Sequence, residues 1–164
     1  MIPEIKKILY TTDMSDTSNY AFSYAASLAN RYDALITILH VLQDQKPTAE
    51  NLVTNIIGEK NWLELLDRNK AEVVERIRSR LEKFCEETRS ELASCPFLLD
   101  EVIVKIGNPV KEILKEAENK KYDILVLGAH GHGAIAGAVM GSVSRRILRQ
   151  CKTPVLVLRL PEAE

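Results

Sequence analysis

The chain has 164 residues, 46% of them apolar and 27% charged, with 22 basic side chains against 23 acidic ones and a formal net charge of -1. A domain of about 150 residues buries close to 70% of its unfolded surface, so it can carry a core without staples. The balanced charge offers no basic excess for a nucleic-acid backbone.

Cys85, Cys95 and Cys151 are an odd number of thiols at irregular spacing. That argues against a disulfide framework and suits a reducing compartment. The opening Met1 to Lys7 lacks the apolar stretch and cleavage site of a signal peptide, and no segment approaches the roughly 18 apolar residues that span a bilayer. The expectation is a cytoplasmic protein with neither a membrane nor a nucleic acid as partner.

Short apolar runs alternate with longer helical patterns, the signature of βαβ units and a parallel sheet covered on both faces. A first strand is predicted over Lys7 to Thr12 and a helix over Thr17 to Tyr32, with Tyr20, Tyr24, Leu28 and Tyr32 at helical spacing and Asp16 or Thr17 as its cap. A second strand covers Leu35 to Leu42. The stretch 43–58, a polar turn with Pro47 followed by a weak apolar run, reads as an insertion or mobile flap in a single domain spanning 1–164.

A long amphipathic helix follows from Lys60 to about Leu92 on Leu63, Leu66, Val73, Ile77, Leu81 and Phe84, with Lys70 breaking the stripe. A third strand is predicted over Leu98 to Ile106. Asn108 and Pro109 then form a cap and first-turn pair for a helix running to about Asn119. Ile124 to Leu127, Val143 to Gln150 and Pro154 to Leu158 complete the alternation as strand, helix and strand. Right-handed crossovers then give a doubly wound, five-stranded parallel α/β sheet of order 3-2-1-4-5 with helices on both faces.

In such a sheet ligands bind beyond the carboxyl ends of the strands where the winding reverses, here between the first and fourth strands. Two loops meet there. One is Thr11 to Asp16; the other runs from Gly128 to Ser144, with five glycines, His130 and His132, and a Gly141-Ser142-Val143-Ser144 helix start. Glycine lets the backbone approach a phosphate closely, a helix N-terminus presents unpaired N–H groups, and Ser142 and Ser144 add hydroxyls. Arg145 and Arg146 follow and can neutralise charge. The plainer reading of these glycines is a flexible turn and a tight contact between helix and strand. Asp13 likewise reads either as a ligand to an amine or hydroxyl or as an Asx-turn ahead of the first helix.

Neither G-x-x-x-x-G-K-[ST] nor a G-x-G-x-x-G between first strand and first helix is present, which disfavours a P-loop NTPase and a Rossmann dehydrogenase. What is present is G-x2-G-x9-G-S at Gly128, Gly131, Gly141 and Ser142. With it, the chain resembles the ATP-binding branch of the universal stress protein family. The flanks carry the resemblance too: Lys6 to Ser15, Leu39-His40-Val41, Gly107-Asn108-Pro109, and Thr153 to Leu158.

The resemblance implies an adenine nucleotide alpha hydrolase-like, Rossmann-like fold that binds ATP. Asp13 and Val41 would border the adenine, with Thr11 beside the base, and Gly128 would lie against the ribose. Gly131, Gly141, Ser142, Val143 and Ser144 would wrap the phosphates with His130 in the same loop, and Mg²⁺ or Mn²⁺ would bridge phosphate oxygens. His132 stands where relatives are often basic.

No four-ligand zinc spacing, Ser-His-Asp order or carboxylate pair stands out, and the phosphate loop lacks the lysine of fast NTPases. His40 reads as buried or hydrogen-bonded, Cys85 and Cys151 as packing residues, and Cys95 as the most exposable thiol. The expected function is a nucleotide-dependent regulator in stress response, acting through an unidentified downstream protein partner. The alternative is a slow ATPase or nucleotidyl-transfer enzyme using the same pocket; an electron-transfer flavoprotein-like role is disfavoured for want of a second domain. The final strand, 154–158, is a continuously apolar sheet edge without protecting charges, which predicts a homodimer through it.

Overall fold

In a computed structural model the described residues are 1–43, 59–119, 122–131 and 140–161, those of 59–67 and 69 by backbone alone. The elements are β1 (Lys7–Thr11), α1 (Asp16–Tyr32), β2 (Leu35–Gln43), α2 (Glu59–Glu91), β3 (Leu98–Gly107), α3 (Pro109–Asn119), β4 (Ile124–Gly128), α4 (Ser142–Gln150) and β5 (Val155–Leu158). The sheet order is β3-β2-β1-β4-β5 and every pairing is parallel, as expected from the sequence. The insertion expected at 43–58 lies, apart from Gln43, outside the described residues.

Alternation along β1 sends its side chains to opposite faces. Ile8 and Tyr10 join Phe22, Ile36, Ile38 and Val126 under α1 and α2, while Leu9 joins Leu39, Leu125, Leu127 and Ile147 under α3 and α4. Fully burying a large apolar side chain stabilises by about 1.5–3 kcal/mol. β1, with Ile8, Leu9 and Tyr10 wholly inaccessible, is therefore the strand on which both layers are built. Phe22 meets Tyr10, Phe84 and Phe97 edge to face, the geometry that the ring quadrupole favours.

α2 packs on Ile77, Leu81 and Phe84 as its stripe predicts, but Val73 is exposed, and Cys85 and Thr88 occupy buried positions that the stripe omits. The Thr88 hydroxyl bonds back to the Phe84 carbonyl at 2.8 Å, which removes the cost of burying it.

The cap of α1 differs from both candidates. It is Ser15, whose Oγ accepts from the Ser18 amide at 3.3 Å; Asp16 is the first helical residue, where its charge meets the positive end of the dipole. α3 does begin as expected, with Asn108 Oδ1 accepting the Lys111 amide at 3.1 Å. The buried Glu116 carboxylate accepts from Lys105 Nζ at 2.8 Å and from the Tyr122 hydroxyl at 3.2 Å, tying α3 to β3.

Two buried acids in this core hold their protons unusually tightly. Burial pushes the Tyr10 hydroxyl, which donates to the Ser18 carbonyl at 2.6 Å, well above its ordinary range. Burial also pushes the Cys85 thiol from 9.0 up to about 11. Between those two values the unfolded chain ionises its thiol while the folded chain does not, so the native state binds more protons and stability falls as pH rises. Urea denaturation across that window should show a steeper loss for the wild type than for Cys85→Ala, whose cavity lowers stability evenly at every pH. Parallel slopes would show that the thiol is not held protonated.

Candidate functional site

α1 leaves β1 toward one face of the sheet and α4 leaves β4 toward the other, so no helix covers the ground between the two strand ends. A cavity of about 500 Å³ opens there, within the range of small-molecule sites. Its lining includes all ten residues named from the sequence: Thr11, Asp13, Val41, Gly128, His130, Gly131, Gly141, Ser142, Val143 and Ser144. His132, Gly133 and Gly137 lie outside the described residues.

The loop after β1 is built from short polar ties. The Thr12 amide donates to the Leu39 carbonyl at 3.0 Å, and Thr12 Oγ1 accepts the Met14 amide at 2.9 Å and shares a hydrogen bond of 2.9 Å with Ser18 Oγ. Asp13 Oδ1 accepts the Ser15 amide at 3.0 Å. Asp13 is thus an Asx-turn residue and a cavity residue at once; the two readings of it coexist. Met14 takes the left-handed conformation, φ 65°, which L side chains adopt at a cost.

The glycines of the second loop serve different ends. A Cβ on Gly128 would stand 3.0 Å from Thr17 Cγ2 and 3.2 Å from the Ser18 amide nitrogen, so this glycine admits the first turn of α1 against β4, which is the plainer reading. Asp13 lies against Gly131, where an added Cβ would collide with its Oδ2.

At the far end of the loop, the Ala129 carbonyl accepts both the Gly141 amide and the Ser144 hydroxyl at 2.7 Å each, while the Ala129 amide donates to the Leu158 carbonyl at 2.7 Å. Ser144 is buried, and its hydroxyl also lies 3.1 Å from the Gly141 carbonyl. Its proton therefore closes the loop.

Two helices start at this cavity, and they are not equivalent. α3 is capped by the Asn108 side chain, whereas Gly141, the cap residue of α4, has no side chain to offer. Among the described residues no side chain caps the first amides of α4, which lie beside the Ser142 hydroxyl with Arg146 one turn along. This is an arrangement for an anion. The floor is apolar, made by Leu39, Val41, Val110, Ile113 and Leu127, and suits a flat uncharged group.

Sequence reasoning passed over Thr12, Ser18, Gln43 and, apart from Val41, the apolar floor as site residues. Leu39 was within reach, since it shares a face of its strand with Val41 two residues on. Asn108 and Pro109 were identified only as a helix start, although a helix beginning at the carboxyl end of the sheet necessarily joins the same rim. Arg146 lines the cavity as anticipated; Arg145 does not.

His40 is buried and hydrogen-bonded, its Nδ1 standing 2.7 Å from the Thr12 carbonyl oxygen. Cys95 is half-buried, with Sγ 3.8 Å from the Ala26 carbonyl. Among the described residues, no group of three His, Cys, Asp or Glu side chains is placed to hold a metal, and no helix is long and apolar enough to cross a membrane.

The family model of the universal stress proteins matches residues 4–159. Universal stress protein MJ0577 of Methanocaldococcus jannaschii is 26% identical over 154 residues, 94% of each chain. Its solved structure superposes with a TM-score of 0.76 at 26% identity, over 98% of this chain and all of that one. A universal stress protein in complex with cAMP has the same fold at a TM-score of 0.59, 22% identical over 96% of this chain and 98% of its own. So does the universal stress protein of Archaeoglobus fulgidus in complex with dAMP, at a TM-score of 0.52, 18% identical over 94% of this chain and 97% of its own.

The contact between Asp13 and Gly131 is testable in the protein alone. Gly131→Ala forces the carboxylate aside and should cost about 1–3 kcal/mol of stability. In an Asp13→Ala background the same substitution should cost far less, so urea denaturation of the four proteins should give a coupled cycle. Additive costs would mean that the two residues do not touch.

Proposed function

The chain belongs to the universal stress protein family, and from that premise we propose that it is an ATP-binding regulator whose nucleotide occupies the cleft between β1 and β4. The observation that carries this reading is the start of α4. It is a helix N-terminus whose cap residue is a glycine, opening beside Ser142 onto a cavity with an apolar floor. The phosphates lie at Gly131, Gly141, Ser142 and Val143, with Ser144 closing the loop behind them and His130 and Arg146 beside them. The adenine lies on the apolar floor next to Val41 and Thr11, and Asp13 faces an amine or ribose hydroxyl near Gly128. Relatives of the same fold solved with cAMP and dAMP support an adenine nucleotide as the ligand.

A divalent cation, Mg²⁺ or Mn²⁺, enters with the nucleotide, held by phosphate oxygens; when bound it supplies charge neutralisation. No lysine is among the described residues that line the cavity, and the arrangement suits holding a nucleotide rather than turning it over. Regulation then consists of the difference between the empty and the filled cleft, read by a partner protein.

A ligand bound only by the folded state stabilises it by about 2.7 kcal/mol at a hundred times its dissociation constant. For a domain of this size that raises the Tm by about 5–10 °C. ATP with Mg²⁺ should give that shift, and Gly141→Val, whose side chain would crowd the Ala129 carbonyl and the cradle, should abolish it while remaining folded. No shift with millimolar nucleotide would end the proposal.

The partner of β5 is a second copy of this chain. Among the described residues β5 pairs only with β4, which leaves its outer edge unbonded by the sheet, and Val155, Leu156 and Val157 are only half buried there. Antiparallel pairing about a two-fold axis satisfies both edges with one surface. Light scattering should report twice the 18.5 kDa of one chain, and Val157→Pro, which removes an amide facing away from β4, should return it to one. A monomeric wild type would refute the dimer, and a dimer indifferent to the proline would refute its location.

A further inference from the structure

The β1–α1 loop carries a left-handed Met14, and a strained loop of this kind persists only where its surroundings over-determine it. Within the loop, Thr12 Oγ1 holds the Met14 amide and Asp13 Oδ1 holds the Ser15 amide. From the neighbouring strand a side chain reaches in as well. His40, near the end of β2 and buried, places Nδ1 2.7 Å from the Thr12 carbonyl oxygen. A carbonyl can only accept, so Nδ1 carries the proton and donates. That carbonyl belongs to the peptide joining Thr12 to Asp13, and its plane decides where the Asp13 carboxylate sits against Gly131.

We propose that His40 is a positioning residue for the cleft. By donating to the Thr12 carbonyl it fixes the Thr12–Asp13 peptide, and through it the Asp13 carboxylate at the base and ribose end of a bound nucleotide. The inference rests on the nucleotide reading above for its ligand, and on the geometry alone for its mechanism. His40 is not among the cavity-lining residues, so its substitution reaches the ligand through the loop.

Three variants separate the hydrogen bond from bulk. His40→Phe keeps a ring and removes the donor; His40→Asn puts an amide nitrogen at the same number of bonds from the backbone as Nδ1; His40→Gln puts one a bond too far. In the ligand-free protein, hydrogen exchange at the Met14 and Ser15 amides should quicken about tenfold in His40→Phe relative to the β1 amides, the loss expected for one hydrogen bond. Calorimetry should show adenosine and ATP both weakened by that same factor, because the defect lies at the base end and not at the phosphates. His40→Asn should restore exchange protection and affinity, and His40→Gln should not.

The proposal is overturned if folded His40→Phe keeps the protection of Met14 and Ser15, if ATP weakens while adenosine does not, or if Asn performs no better than Gln. Should His40→Phe fail to fold, the Asn and Gln pair decides. If wild-type protein binds neither ligand, the nucleotide reading falls, and the exchange measurement still decides whether His40 holds the loop.

Discussion

The whole upper surface of this protein follows from one constraint: β1 is buried on both faces, and the helices that follow β1 and β4 must leave the sheet in opposite directions. A right-handed crossover permits no other arrangement once β2 and β4 flank β1. The two strand ends are therefore left without a helix over them, and the loops that leave them lie side by side. The cavity is a by-product of chain winding, and side chains then decide what it accepts.

Those side chains divide the labour in a way that a motif does not display. Of the glycines in the described part of the loop, Gly128 exists for a helix, Gly131 for a carboxylate, and Gly141 for the chain turning into α4. Ser144 looks like a donor to ligand and is engaged with a backbone carbonyl. Spacing is shared across these residues while the physical cause differs at each, so substitutions within one motif fail for unlike reasons.

The elements were legible in the sequence almost to the residue, since burial on both faces leaves a near-continuous apolar run in β1, β2 and β4, and Asn108-Pro109 marks a helix start by local chemistry alone. The strand order was legible because handedness prunes the alternatives. Ser15 was not, because the Asp13 turn and the positive φ of Met14 deliver the chain to the helix one residue earlier than capping preference suggests. The tie from His40 to Thr12 joins residues 28 apart, and those from Lys105 through Glu116 to Tyr122 depend on how α3 lies along β3; no periodicity foretells either. The glycine-rich and Asp13 side of the cavity was visible; most of its apolar floor, and which of its members face inward to support the others, were not.

Ala129 is a single residue with three loads upon it. Its amide is fastened to the last residue of β5 and its carbonyl to both Gly141 and Ser144 at the head of α4. Such a residue has little slack, because each of its three bonds is short and only its own φ and ψ lie between the amide and the carbonyl that make them. The outer edge of the sheet and the mouth of the cleft are thus parts of one rigid linkage, and neither can be displaced by an ångström without the other feeling the strain.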